Sequence, residues 1–267
     1  MIRIVQFSGG KDSTALVLWA REQWGDDFLP MFCDTGWEHA INRAYIEHIN
    51  RRVLNGRLVV CRSEQFSGMM QLVEVKRRVP SAKARFCTDE LKTEPGVQYV
   101  RGLADEVVIY QGARADESQK RRDDGPRFFS DRYDAWIERP LYAWTVADVF
   151  AMHDRHGIEP NPLYKLGAAR VGCFPCVLIN HAELKRVTET LPEIWDRMAE
   201  LEAAAAAGRT FFPPHYIPER FCTRRDPKTG VRIPTLEDVR AYVTQPNQPD
   251  FWDDEPRTCM SVYNQCE

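Results

Sequence analysis

Residues 2–13 read IRIVQFSGGKDS, and this stretch contains the features that decide the fold. Residues 2–7 are apolar and β-branched, which is typical of a short buried strand, and glycines follow at once. A helix is predicted directly afterwards, over residues 14–24. Glycines let a backbone approach a phosphate closely, and a helix N-terminus adds free N–H donors and the positive end of the helix dipole. Strand, glycine turn and helix in this order predict a phosphate-binding loop.

The polar side chains of residues 8–13 suit the same ligand. Lys11 supplies a positive charge, and Ser8 and Ser13 supply hydroxyl donors. Asp12 is unexpected beside an anion, and a bound Mg²⁺ would account for a carboxylate next to phosphates. The ordinary P-loop pattern does not fit, because Asp12 stands where that pattern needs Ser or Thr. The alternative interpretation is a plain glycine turn capped by serine.

Strands and helices alternate through the first half of the chain. Further strands are predicted at residues 28–33, 57–61 and 106–111, and helices at residues 38–53 and 67–78. Strands separated by helices imply right-handed crossovers, so we predict an α/β fold with a doubly wound, mostly parallel sheet and helices on both faces. Ligands of such sheets bind beyond the carboxyl ends of the strands. The loops that start at Ser8, Asp34 and Gly112 should therefore converge on one crevice.

The second half of the chain is less regular. Helices are predicted at residues 145–156, 182–207 with a break at Pro192, and 235–244. Beyond these helices the sequence is rich in proline and turn residues. We therefore predict a nucleotide-binding α/β domain at residues 1–180. Residues 181–267 should form a helical and irregular, proline-rich C-terminal extension that packs on it.

Composition limits the classes of function. The 267 residues carry 36 Lys and Arg against 39 Asp and Glu, a formal net charge of -3. The overall charge therefore does not favour a nucleic-acid substrate, although a local basic groove stays an open alternative. Apolar stretches are far too short to span a membrane, and the first residues lack a signal-peptide pattern. We expect a cytoplasmic protein with reduced thiols and no membrane contact.

Residues 8–13 resemble the pyrophosphate-binding PP-loop of the adenine nucleotide α-hydrolase superfamily, whose members cleave ATP between its α and β phosphates or bind related adenylyl nucleotides. Further motifs follow in the order of the phosphoadenosine phosphosulfate (PAPS) reductase family: Asp34-Thr35-Gly36, Gly112-x-Arg114-x-x-Glu117-Ser118-x-x-Arg121, Pro140-Leu141-x-x-Trp144, Asn161-Pro162-Leu163-Tyr164 and Arg170-x-Gly172-Cys173-x-x-Cys176. The resemblance extends over residues 1–180. It implies the family's α/β fold and a ligand such as ATP or a PAPS-type nucleotide.

The resemblance and the side-chain chemistry together indicate a nucleotide site. Guanidinium groups suit phosphate or sulfate oxygens, and a carboxylate after the second strand would orient a ribose or a metal ion. Taken alone, Arg114 and Glu117 fit a surface ion pair better than a ligand site, and Asp34 fits a turn residue better; together with the glycine loop, the functional interpretation is favoured for Arg114. We predict nucleotide contacts from Ser8, Gly9, Gly10, Lys11, Asp12, Ser13, Asp34, Gly112, Arg114, Glu117 and Arg121. Lys11, Asp12 and Arg114 are the predicted catalytic residues of this set.

Eight cysteines are too few for a disulfide scaffold. Cys173 and Cys176 form a C-x-x-C element, which alone is ambiguous between a redox dithiol and a metal site. Together with Cys87, this element resembles the iron–sulfur branch of the family, which includes adenylylsulfate reductases and DNA phosphorothioation sulfur-transfer proteins. That resemblance implies a [4Fe–4S] cluster, with zinc or metal-free thiols as alternatives. The pattern lacks one of the four ligands. We assign this ligand to Cys222, with Cys259 and Cys266 as alternatives.

Three functions follow from the resemblance. The complete Ser-Gly-Gly-Lys-Asp-Ser loop favours an ATP-dependent enzyme that releases pyrophosphate and adenylates a substrate for sulfur transfer from a sulfur donor. The second function is PAPS or adenylylsulfate reduction, in which Cys266 attacks the sulfur and a thioredoxin-like reductant releases sulfite. The third is the catalytic subunit of an ATP sulfurylase-like complex that works with a GTPase partner.

The remaining polar and aromatic residues of interest are interpreted as structural. His153 and His156 lie three residues apart on a predicted helix, and we interpret both as surface residues. Trp144, Asn161 and Tyr164 are interpreted as packing and turn residues.

Overall fold

The computed structural model describes residues 1–206, 209–227 and 229–245. The strands are β1 (Ile2–Gln6), β2 (Leu29–Cys33), β3 (Val59–Cys61), β4 (Val107–Tyr110), β5 (Arg127–Ser130), β6 (Ala135–Glu138), β7 (Arg224–Arg225) and β8 (Arg232–Ile233). Cys259 and Cys266, an alternative metal ligand and the predicted reductase nucleophile, lie outside the described residues.

The helices before the middle of the chain are α1 (Lys11–Trp24), α2 (Ala40–Arg52), α3 (Met69–Lys76), α4 (Phe86–Thr88), α5 (Glu94–Arg101) and α6 (Gln119–Asp124). Those after it are α7 (Val146–Arg155), α8 (His181–Thr190), α9 (Ile194–Ala204) and α10 (Leu236–Val243). Among the helices of the described ranges, none is both long and apolar enough to cross a lipid bilayer.

The main sheet has six strands in the order β3-β2-β1-β4-β6-β5. All neighbouring strands are parallel except β5 and β6. The predicted α/β fold with a mostly parallel, doubly wound sheet is confirmed. The chain moves from β1 to β2 and β3 on one side and then places β4 on the other side of β1. Ligand crevices of such sheets form at this reversal, beyond the carboxyl ends of the strands.

Consecutive residues of the central strands pack into opposite layers of the core. Val5 and Val108 contact the layer formed by α1, α2 and α7. Ile4 and Ile109 contact the layer that contains α5. Because both faces of the central strands are covered, their sequences are continuously apolar rather than alternating. This packing fixes the positions at which β1 and β4 end and the loops that follow them begin.

The sequence does not predict β5, β6 or the helical stretch of residues 86–101. The strands β5, at the edge of the sheet, and β6, beside it, have only four residues each, and both carry exposed aromatic residues: Phe129 is 45% exposed and Trp136 is 39% exposed. In the helical stretch, a π-helical turn joins α4 to α5. Pro95 lies within the first turn of α5, where the missing N–H is tolerated. Segments whose sequences lack a strand or helix pattern thus form regular secondary structure here.

The segment after residue 180 shares a hydrophobic cluster with the α/β part of the chain. Leu184 of α8, Met198 of α9 and Val239 of α10 pack in the same cluster as Leu72 of α3. Pro192 lies between α8 and α9, where the break was predicted from the sequence. The extension therefore packs on the sheet-bearing part, while the division of the chain at residue 180 stays a prediction.

Candidate nucleotide site

The loop between β1 and α1 presents backbone donors at the reversal of the strand order. Gly9 has a positive φ of 80°. Gly10 is the N-cap residue of α1, so no side chain caps this helix N-terminus. Within the described part of the chain, the N–H groups of Asp12 and Ser13 have no acceptor. The hydroxyl oxygens of Ser8 and Ser13 lie 3.2 Å apart. Free amides at the positive end of a helix dipole suit a phosphate.

Two fully buried asparagines hold the glycines of this loop. Asn161 Nδ2 donates to the Gly9 carbonyl over 3.0 Å and to Asn42 Oδ1 over 2.9 Å. Asn42 Nδ2 donates to the carbonyls of Ser8 and Gly172 over 3.3 and 3.2 Å. A Cβ atom at Gly9 would lie 2.2 Å from Asn42 Oδ1. Asn161 is thus a support of the loop as well as the turn residue that the sequence indicates.

Tyr164 and His153 hold the first residue of α1. The Lys11 N–H donates to Tyr164 Oη over 3.0 Å, and His153 Nε2 lies 2.9 Å from the Lys11 carbonyl oxygen. Burial raises the pKa of Tyr164, so its hydroxyl stays protonated. The interpretation of His153 as a surface residue is wrong, because His153 is fully buried on the face of α7 that it shares with Val149 and Met152. This spacing is the sequence signal that identifies its inward position.

Asp12 lies between two cations. Lys11 Nζ is 2.8 Å from Oδ2 of Asp12, and Arg114 Nε donates to Oδ1 over 2.7 Å. Burial alone would raise the pKa of Asp12, but Lys11 and Arg114 outweigh burial and hold that pKa below its ordinary value. Asp12 is therefore an ionised acceptor for cations near neutral pH and not a proton donor.

The loop after β4 meets the beginning of α1. A Cβ atom at Gly112 would lie 2.9 Å from the Asp12 carbonyl oxygen, so the two backbones are in close contact. Glu117 accepts the Arg114 backbone N–H over 2.8 Å and pairs with Arg121. The structure therefore brings together the loops that start at Ser8 and Gly112. The ion pairs Arg114–Asp12 and Arg121–Glu117 of these loops were not predicted from the sequence.

The cations of this crevice are matched by carboxylates in the free protein. The cations are Lys11, Arg114 and Arg121, and their partners are Asp12, Asp116 and Glu117. A phosphate must therefore compete with carboxylates or arrive with a cation of its own. No three Cys, His, Asp or Glu side chains in the described ranges are grouped to hold a metal. Mg²⁺ commonly uses one or two carboxylates together with substrate phosphates, so Asp12 fits a Mg²⁺ ion that arrives with the nucleotide.

Asp34 follows β2 and is bonded to arginines. Arg43 Nη2 donates to Oδ1 of Asp34 over 2.9 Å, and Arg62 Nη2 lies 2.9 Å from Oδ2. Burial alone would raise the pKa of Asp34, but hydrogen bonds, chiefly from Arg43, lower it to about 2. In the described residues, Asp34 makes no hydrogen bond to residues 8–13. Its contact with a nucleotide ribose stays a prediction.

The predicted metal ligands are Cys87, Cys173, Cys176 and Cys222. Cys173 Sγ lies 3.3 Å from Thr35 Oγ1, and the buried Cys222 Sγ lies 3.9 Å from the Pro218 carbonyl oxygen. Cys87 and Cys173 pack against the hydrophobic cluster that contains Cys222. The described residues do not gather three of these thiols at metal-binding distance. As placed they do not fit a cluster or a zinc ion, and the four-thiolate site stays a prediction.

Comparison with known protein families shows to which family this chain belongs. A family model described as Phosphoadenosine phosphosulfate reductase domain matches residues 3–178. The chain belongs to this family. The PAPS reductase domain therefore includes the loop of residues 8–13, the loop after β4 and the supporting residues Asn161 and Tyr164. Membership identifies the protein as a nucleotide-binding, sulfonucleotide-related member of the PAPS reductase family.

Individual relatives agree with the family. An uncharacterized 37.8 kDa protein of Escherichia phage 186 is 32% identical over 273 residues, covering 82% of this chain and 81% of the phage protein. An adenosine 5'-phosphosulfate reductase from Streptomyces coelicolor is 26% identical over 192 residues, covering 62% of this chain and 78% of that enzyme. The crystal structure of PAPS reductase from Candida auris in a phosphate complex matches with a TM-score of 0.54 and 12% identity, over 66% of this chain and 83% of that one. This last likeness concerns the fold alone.

Proposed function

We propose that this PAPS reductase-family protein binds ATP on residues 8–13 and transfers the adenylyl group to an oxygen atom of an acceptor, releasing pyrophosphate. The observation that carries the proposal is the loop itself: the free amides of Asp12 and Ser13 lie beside the cation Lys11 at the reversal of the strand order. Such a loop suits a pyrophosphate, whereas reduction of a sulfonucleotide requires no pyrophosphate to be held.

The proposed chemistry is a displacement at the α-phosphorus. The acceptor oxygen forms a bond to this phosphorus and loses its proton to solvent. The bond between the α-phosphorus and the oxygen that bridges to the β-phosphorus breaks, and pyrophosphate leaves with the electron pair. Catalysis of this kind depends on positioning and on neutralising negative charge. In this proposal the free amides of Asp12 and Ser13, together with the side chains of Lys11 and Arg114, would do both.

Lys11 and Arg114 become available to phosphate only if they leave Asp12. Lys11 and Arg114 are the groups that hold the pKa of the buried Asp12 carboxylate below its ordinary value, so Asp12 would need another cation when the phosphate draws them away. A Mg²⁺ ion bound with the nucleotide would neutralise phosphate charge, and Asp12 is the carboxylate of the loop that would hold it. Asp12 is therefore the ion-pair partner of Lys11 and Arg114 while no nucleotide is bound.

Sulfur transfer would follow adenylation. A sulfur donor forms a bond to the acceptor while the bond between the acceptor and its adenylated oxygen breaks and AMP leaves. Cys87, Cys173 and Cys176 stay the predicted anchor or carrier of sulfur; as described, they do not fit the [4Fe–4S] cluster or zinc ion predicted from the sequence, and no step of the proposal depends on a metal held by them. None of the six described cysteines forms a disulfide. We include in the proposal a cytoplasmic location, which would keep these thiols reduced.

Binding and turnover of ATP test the proposed function. Calorimetry with ATP and with inorganic pyrophosphate should show binding to the wild type, and Lys11→Ala should weaken it at least tenfold. The matched control is Lys83→Ala, because Lys83 is exposed and lies outside the crevice. Pyrophosphate release from Mg²⁺–ATP in the presence of candidate acceptors should likewise be similar in wild type and Lys83→Ala and lower in Lys11→Ala. Equal binding by wild type and Lys11→Ala would overturn the proposal.

The similarity to the Streptomyces coelicolor adenosine 5'-phosphosulfate reductase favours a second candidate function, sulfonucleotide reduction. In this case the protein would release sulfite from PAPS or adenylylsulfate in the presence of a thioredoxin-like reductant. Cys266→Ser should abolish that release, while Lys11→Ala should reduce it less than it reduces ATP binding. Sulfite release that depends on Cys266, without any ATP binding, would replace the first proposal by the second.

A further inference from the structure

His153 lies behind the phosphate-binding loop, where adenylyl transfer as proposed gives it no role. The residue has no exposed surface. Nε2 lies 2.9 Å from the carbonyl oxygen of Lys11, and Nδ1 lies 3.1 Å from the carbonyl oxygen of Ile158. The imidazole therefore connects the first residue of α1 with the turn that follows α7.

Both neighbours of the imidazole are hydrogen-bond acceptors. A carbonyl oxygen cannot donate, and a neutral imidazole carries only one N–H, so the neutral ring can satisfy only one of the two contacts. The other ring nitrogen would then direct a lone pair at a carbonyl oxygen in a buried place. An imidazolium, which has two N–H groups, makes both hydrogen bonds. His153 also lies in the last turn of α7, where the negative end of the helix dipole favours a cation.

The free protein does not compensate a positive charge on His153. In the ranges that the structure describes, no carboxylate forms an ion pair with this ring. The ring also lies close to the N-terminus of α1, whose dipole end is positive. A buried cation without a counter-charge is unfavourable. A pyrophosphate on residues 8–13 would supply negative charge on the opposite side of Lys11.

We propose that His153 is a positioning residue of the phosphate-binding loop and that it takes up a proton when the loop binds pyrophosphate. This inference rests on the proposed function and adds a linkage to it. Protonated His153 fixes the Lys11 carbonyl and favours the anion, and the anion favours protonated His153 to the same extent. Binding of pyrophosphate should therefore be accompanied by uptake of a proton.

Other titratable and charged groups lie on the elements that surround His153, and a test must separate them. They are Lys11, Asp12 and Glu22 on α1, Arg114 in the loop after β4, Tyr45 on α2, and Asp154, Arg155, His156 and Glu159 on α7 and the turn after it. Asp12 is already ionised near neutral pH, and burial keeps the Tyr45 hydroxyl protonated by raising its pKa to about 12. These two groups therefore do not take up a proton in the neutral range.

The experiment is calorimetric titration of the full chain with inorganic pyrophosphate at one near-neutral pH, in two buffers that differ in ionisation enthalpy. The dependence of the heat on the buffer gives the number of protons taken up. His153→Gln keeps an N–H donor near the position of Nε2 but cannot titrate, and His153→Leu has no donor. His48→Gln is the matched control, because His48 is exposed on α2. The titration of pyrophosphate itself is common to all four proteins and cancels in the comparison.

We expect the wild type and His48→Gln to take up the same fraction of a proton, and His153→Gln to take up less by a measurable part of one proton. His153→Gln should bind pyrophosphate more tightly than His153→Leu, because its amide still holds the Lys11 carbonyl. Binding with equal proton uptake by wild type and His153→Gln would overturn this inference and leave the proposed function intact. Absence of any pyrophosphate binding by the wild type would overturn both.

Discussion

Arg114 donates through Nε to Oδ1 of Asp12 over 2.7 Å and thereby joins the loop after β4 to the first turn of α1. The two residues are 102 positions apart in the sequence. Only 2% of the Arg114 side chain is exposed, so this ion pair is shielded from solvent. The contact holds the two halves of the nucleotide crevice together before any ligand is bound.

Removing Arg114 should destabilise the protein strongly. Arg114→Ala leaves Asp12 and Asp116 without their guanidinium partner, and breaking a buried ion pair from one side costs about 3–5 kcal/mol. Urea denaturation at neutral pH measures the free energy of unfolding. The control is Arg127→Ala, which removes an exposed ion pair with Glu138 and should cost below about 1 kcal/mol. Similar losses in both variants would contradict the buried role of Arg114.

The Asp34 carboxylate should make stability fall in acid. Its pKa in the folded protein is about 2, below the ordinary value of 3.8, so its contribution is present above that ordinary value and is lost as the pH falls towards 2. A shift of this size corresponds to at most roughly 2 kcal/mol, and solvent screening of the exposed Arg43 and Arg62 side chains reduces this contribution. Unfolding free energies of wild type and Asp34→Asn, measured between neutral pH and about pH 2.5, should differ at neutral pH and converge in acid. A constant difference over this range would count against the assignment.

Gly9→Ala should disrupt the phosphate-binding loop. The positive φ of 80° strains any residue other than glycine, and the new Cβ would lie 2.2 Å from Asn42 Oδ1. The matched control is Gly25→Ala, which has a φ of 60° but no atom within 4 Å of the new Cβ. Gly25→Ala should cost about 1–2 kcal/mol of stability from backbone strain alone and leave pyrophosphate affinity unchanged. Gly9→Ala should cost more and also abolish pyrophosphate binding in calorimetry.

The pair Asn161 and Asn42 should act as a unit. Asn161→Ala removes a buried donor from the Gly9 carbonyl and from Asn42, and each buried group left unpaired costs about 1–3 kcal/mol. Asn42→Ala should have an effect of similar size. Because the two side chains bond each other, the double variant should lose less stability than the sum of the single variants. Strict additivity of the unfolding free energies would show that the two side chains stabilise the loop independently.

The sequence predicts the central sheet and the place of its loops because both depend on local signals. Buried strands such as β1 and β4 are continuously apolar, and a doubly wound sheet brings their carboxyl ends together. The glycine turn between β1 and α1 was predictable for the same reason, since residues 8–13 contain the glycines and the helix start in one stretch. The strands β5 and β6 were not predicted, because their regularity depends on pairing, of β6 with β4 and of β5 with β6, and not on a hydrophobic pattern.

The supports of the loop depend on tertiary contacts that no local pattern reveals. His153 reaches Lys11 only because α7 packs on α1, although its spacing from Val149 and Met152 indicates the buried face. Tyr164 contacts the same residue from a turn after α7, where an aromatic residue fits simple packing equally well. The sequence therefore identifies the residues of the loop itself more readily than the residues that fix their positions.

The contact between Lys11 and Tyr164 has a consequence for biosynthesis, since it spans 153 positions of the sequence. Residues 8–13 are translated well before Asn161 and Tyr164. A nascent chain that has not yet reached Tyr164 contains the complete Ser-Gly-Gly-Lys-Asp-Ser segment without these contacts that hold it. These supports of residues 8–13 can therefore form only after the segment that contains Asn161 and Tyr164 has been translated and has folded back onto the earlier loop.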